Sequence, residues 1–99
     1  MRKNVKVFKN KATTGRNNIC GEKIYVLRKK YIPKMSQRIL AEKCQLLGLD
    51  IDKNAIQRIE CGKRFITDIE LRCFASIFGV SVSELFASDL EGNFSDGKY

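Results

Sequence analysis

Ser36-Gln37-Arg38-Ile39-Leu40-Ala41-Glu42-Lys43, followed by Ile56-Gln57-Arg58-Ile59-Glu60-Cys61-Gly62-Lys63-Arg64, decides the reading of this chain. The first stretch opens on a serine whose hydroxyl can accept from a free N–H of a first helical turn. Leu40, Cys44 and Leu47 then repeat at i, i+4 and i+7, Ala41 allows close helix approach, and Gly48 is the natural stop. The second stretch sits in a helix expected over residues 53–61, with Asp52 as its cap. Gly62 falls at the position after the helix where a left-handed conformation costs least.

At 100° per residue, Lys53, Asn54, Gln57 and Arg58 cover an arc of about 140°, and Ile56 and Ile59 point away from it. A helix of this kind is held by a core on one side and offers hydrogen-bonding groups on the other. Those types suit base edges: Arg or Lys to guanine, Asn or Gln to adenine. Polar faces are also the rule for surface helices, so the pattern alone fits an ordinary amphipathic helix equally well.

Outward from this pair, the spacing predicts three more helices. Ile24, Leu27 and Tyr31 mark a helix beginning near Gly21 and ended by Pro33. Thr67-Asp68-Ile69-Glu70 is a capping box opening a helix with Leu71, Phe74, Ala75 and Phe78 on one face, closed by Gly79. Ser81-Val82-Ser83-Glu84 is a second box, opening a short helix with Leu85 and Phe86. Residues 1–19 read as a flexible basic arm, with a short strand possible at Val5-Lys6-Val7-Phe8, and residues 88–99 as a loose tail. The expected architecture is all-α: one compact five-helix domain over residues 20–87.

Charge is uneven along the 99 residues. The net charge is +8, with six cations and no acid in residues 1–19, a net of +5 in residues 20–47, zero in 48–68 and −3 in 69–99. Cations gathered in the front half suit a polyanion such as nucleic acid, though a solvated surface has the same composition. Cys20, Cys44, Cys61 and Cys73 are spaced by 24, 17 and 12 residues, and the chain has no His, which fits no common zinc pattern. Cys44 reads as a small core residue, and the thiols are expected reduced. No nucleophile–base pair and no Gly-rich phosphate loop stands out, so an enzyme is not expected. Neither a membrane span nor a signal peptide is expected, which points to the cytoplasm.

Over residues 21–86 the sequence resembles the lambda-repressor/Cro-like (XRE-type) helix-turn-helix family. The matching pieces are Leu27-Arg28, Ser36-Gln37, Leu40-Ala41-Glu42-Lys43, Ile56 through Arg64, Leu71 with Phe74-Ala75, and Gly79 through Leu85. The resemblance implies sequence-specific binding of double-stranded DNA by a homodimer on palindromic half-sites, in a transcriptional regulator, most simply a repressor. No cofactor, metal or small-molecule ligand is expected from the residues themselves. By position, Lys53, Asn54 and Arg58 match base-contacting residues, with Gln57 adjacent. Gln37 matches a glutamine that binds a DNA phosphate and braces the recognition helix, and Lys63 and Arg64 match a phosphate-contacting loop. Arg28 and Glu60 match a largely structural ion pair.

Two departures stand out. Gln45-Leu46-Leu47-Gly48-Leu49 lengthens the connection before the recognition helix beyond the usual turn of about three or four residues. Leu46, Leu47 or Leu49 is expected to add core there. The connection around Ile32-Pro33 is also longer. Phe86, Leu90 and Phe94 are candidates for a dimer contact. Two alternatives remain open: a protein-interaction module of the same fold (an antitoxin or regulatory partner) that presents the acidic tail of Asp89, Glu91 and Asp96, or an RNA-binding basic protein.

Overall fold

The computed structural model describes residues 15–87. Val5–Phe8 and most of the basic arm, and the tail with Leu90 and Phe94, lie outside the described residues. Among those described there are five helices and no strand: α1 (Gly21–Lys30), α2 (Gln37–Leu46), α3 (Lys53–Glu60), α4 (Asp68–Phe78) and α5 (Val82–Leu85). α3 packs against both α1 and α2, and α4 packs across α1, α2 and α5. None of these helices is long and apolar enough to cross a membrane.

Local chemistry sets the boundaries. Ser36 Oγ accepts from Ile39 N at 3.1 Å, and Asp52 Oδ1 from Ala55 N at 2.9 Å. The Thr67 box closes in both directions, Glu70 N to Thr67 Oγ1 and Thr67 N to Glu70 Oε1. At α5, Ser81 Oγ accepts from Glu84 N, while the Glu84 carboxylate stands 3.5 Å from Lys23 Nζ. α1 ends at Lys30, two residues before the cis Ile32-Pro33 bond. α3 ends one residue earlier than the spacing suggests, with Cys61 as its C-cap.

The end of α2 shows which leucine of the long connection counts. Leu47 leaves the helix as C-cap, Gly48 takes a φ of 91°, and Leu49 N bonds back to Cys44 O at 3.0 Å. This is a Schellman closure, which turns the residue after the glycine inward against the last turn. Leu49 is accordingly packed on the core, whereas Leu46 is 85% and Leu47 56% exposed. The expectation of Leu47 on the core stripe is thus corrected. Its helical register stops one residue too soon.

The core joins all five helices. Phe74 of α4 and Leu85 of α5 are fully buried with Ile24, Leu40, Cys44, Ile56 and Ile59, and Met35 closes the entry to α2. Burial pushes the Cys44 thiol up to about 12, with Cys73 beside it adding to the effect, and pushes Cys20 to about 11. Gly21 starts α1 where the chains approach closely: a Cβ there would collide with the carbonyl oxygen of Ile59.

Candidate nucleic-acid interface

α3 divides cleanly along its length. Ala55, Ile56, Ile59 and Glu60 are buried. Lys53, Asn54, Gln57 and Arg58 are all exposed. The structure therefore brings the four residues expected to read bases onto one accessible face. That face carries two cations and two amides and no acid. Gln57 Nε2 lies 3.9 Å from the Cys61 Sγ one turn on.

The inner edge of α3 is anchored through one carboxylate. Arg28 donates to Glu60 in bidentate fashion, Nε to Oε2 at 2.7 Å and Nη2 to Oε1 at 2.9 Å. Gln37, the first residue of α2, donates from Nε2 to the same Oε1 at 2.9 Å. Arg28 Nη1 also reaches Met35 O at 3.1 Å. The Arg28 and Glu60 side chains are only 8% and 5% exposed, and the hydrogen bonds to Glu60 raise the Arg28 guanidinium above its ordinary value. Glu60 thus ties α1, α2 and α3 together. A buried carboxylate needs such saturation, because each missing partner leaves it desolvated without compensation.

Beyond α3 the loop 61–64 behaves differently at its two cations. Lys63 is exposed. Arg64 is held by Glu70, Nη1 to Oε1 at 2.9 Å and Nη2 to Oε2 at 3.0 Å. Burial alone would raise Glu70. The hydrogen bonds from Arg64 and Thr67 outweigh it and hold the carboxyl below its ordinary range. Of the two residues expected at phosphate, Lys63 presents its ammonium outward, and Arg64 has its guanidinium occupied within the fold.

Sequence reading missed the segment before α1. Residues 16–18, placed in the flexible arm, pack onto the end of α3. Asn17 N donates to Gly62 O at 2.7 Å and its Nδ2 to Lys63 O at 3.0 Å. Asn18 Nδ2 donates to Ile59 O and Arg64 O, and Arg16 Nη2 to Glu60 O. These partners lie 41 to 46 residues away and are backbone carbonyls, so no local pattern marks them. Between this segment and the loop opens a cleft of about 560 Å³ lined by Gly15, Arg16, Asn17, Glu22, Cys61, Gly62 and Lys63. Among the described residues no group of three His, Cys, Asp or Glu side chains could hold a metal ion.

Comparison of the chain with known protein families, with curated proteins and with solved structures finds no match.

Proposed function

We propose that this chain is a lambda-repressor-like helix-turn-helix domain that binds double-stranded DNA with α3 as its recognition helix. The observation that carries the reading is the split of α3: Lys53, Asn54, Gln57 and Arg58 exposed together, with Ile56, Ile59 and Glu60 buried behind them. Base contacts by these four set sequence preference, and phosphate contacts by Lys63 and Gln37 set affinity and its salt dependence. Gln37 already donates to Glu60 with one amide proton. The second remains in its donor inventory for a phosphate oxygen. The excess of cations in the first 47 residues favours the same polyanion.

In this reading the protein is a cytoplasmic transcriptional regulator, acting as a repressor, and its homodimer places two α3 helices on half-sites about one DNA turn apart. It is not an enzyme. Phe86, 47% exposed after α5, is the described candidate for the dimer contact. The deciding experiment is selection of bound duplexes from a random DNA pool at about 150 mM salt, where phosphate attraction is partly screened. A palindromic motif with two half-sites supports the reading. Weak, salt-sensitive binding with no motif refutes it and favours a protein partner, for which Leu46 and Leu47 offer exposed apolar surface.

A further inference from the structure

Three consecutive residues ahead of α1 supply hydrogen-bond donors to five backbone carbonyls at the far end of α3. Those carbonyls belong to Ile59, Glu60, Gly62, Lys63 and Arg64. The last carbonyls of a helix have no partners within it. Here the helix's own closure takes up some of that need: Lys63 N bonds to Arg58 O at 2.9 Å, and Gly62, at a φ of 86°, donates to Ile59 O. The strap does more than complete a cap, because it reaches beyond the helix into the loop.

Asn18 is the centre of it. Both protons of its amide are used, one on Ile59 O at 3.0 Å before the loop and one on Arg64 O at 2.7 Å after it. Its Oδ1 accepts from Gly21 N at 2.8 Å, the first amide of α1. One side chain therefore fixes both ends of the 60–63 turn to the start of another helix. A primary amide suits this, since two donors and an acceptor must diverge from one short side chain. Asn17 adds a bond to the carbonyl of Lys63 itself. Lys63 is thus an exposed cation on a backbone held from behind at three points.

We infer that Asn18 is a positioning residue for the DNA interface: it holds the loop after α3 so that Lys63 meets a phosphate without first having to be ordered. This rests on the proposed DNA-binding reading and adds to it a part for a segment that touches no base. Ordering a loop at the moment of binding weakens association, and a loop ordered beforehand avoids that loss. Loops at helix ends, with solvent-exposed backbone bonds, are otherwise among the first parts of a fold to open.

The test is a double-mutant cycle in the full chain with Asn18→Ala and Lys63→Ala. Binding is read by fluorescence anisotropy on a labelled duplex of mixed sequence about three turns long, at about 50 mM salt. Thermal melts set the fraction of each variant that is folded. Lys63→Ala weakens binding and reduces the slope of log K against log salt by about 1. Asn18→Ala weakens binding strongly when Lys63 is present and little when it is absent, a coupling of about threefold or more, within the range for residues that act together. A purely structural role for Asn18 lowers the folded fraction equally in both backgrounds. Additive effects therefore overturn the inference while leaving DNA binding intact. Failure of the wild-type chain to bind the duplex overturns the DNA reading and the inference with it. If Asn18→Ala does not fold, Asn18→Ser, whose hydroxyl can still accept from Gly21 N while both amide donors are lost, takes its place in the cycle with the same two outcomes.

Discussion

Replacing Arg28 by Met keeps most of the aliphatic stem and removes the guanidinium, which strands two buried groups. The Glu60 carboxylate, 5% exposed, is left with the Gln37 amide. Met35 O loses its donor at 3.1 Å. Removing one partner of a buried pair costs about 3–5 kcal/mol, because the remaining charge stays desolvated. Domains of this size have about 5–15 kcal/mol in total. At about 4–8 °C per kcal/mol, the melting temperature falls by roughly 12–40 °C. The companion variant Arg28→Met/Glu60→Met removes both charges, and replacing a buried pair by apolar groups is often near neutral. Urea unfolding followed by the helical circular dichroism signal, on the wild type, both single variants and the double, measures the coupling. The double variant should be more stable than Arg28→Met by about 2 kcal/mol, a size within reach of contacting pairs. High salt should leave the difference in place, since buried pairs are weakly screened. A cost for Arg28→Met below about 1 kcal/mol, the range of exposed pairs, would refute the account of Glu60 as a charge that the fold must saturate.

If α3 reads DNA as proposed, Arg58→Ala loses sequence preference and about 1–3 kcal/mol on the selected duplex, and competition between selected and scrambled duplexes checks it. Glu70, held below its ordinary value of 4.5, gives stability that is complete above that pH and disappears as acid lowers the pH through the depressed folded value. Glu70→Gln should therefore be less stable than wild type at neutral pH, with a shallower loss below pH 4.5 in acid titrations of unfolding. Cys20 and Cys44, buried and pushed to about 11 and 12, should resist iodoacetamide at pH 8 in the native protein, while exposed Cys61 is alkylated first. Mass mapping after timed labelling reads the order, and early modification of Cys44 would show that its helix pair opens readily.

Much of the fold was legible because helix ends are written locally. Ser36, Asp52, Thr67 and Ser81 act as N-caps, and Gly48, Gly62 and Gly79 take left-handed φ values of 91°, 86° and 69°. The exposed face of α3 was legible for the same reason, since four residues within one and a half turns fix their own geometry. What failed depends on distance or on competition. Leu47 lies on the right stripe, but the closure at Gly48 ends the helix beneath it and gives the inner place to Leu49. The pairing of Arg64 was not foreseen: Glu70, six residues on and fixed by the Thr67 box, holds its guanidinium in place. Asn17 and Asn18 read as turn formers, because nothing nearby in sequence announces carbonyls more than forty residues away.

The division along α3 has a consequence for how such a surface changes over time. The positions that secure the helix (Ala55, Ile56, Ile59 and Glu60) and the positions that face outward (Lys53, Asn54, Gln57 and Arg58) do not overlap. Variation at the outer four leaves every anchor of the helix in place. The scaffold can therefore be kept while its surface vocabulary is rewritten one residue at a time, with Arg28, Glu60 and the Asn18 strap unchanged.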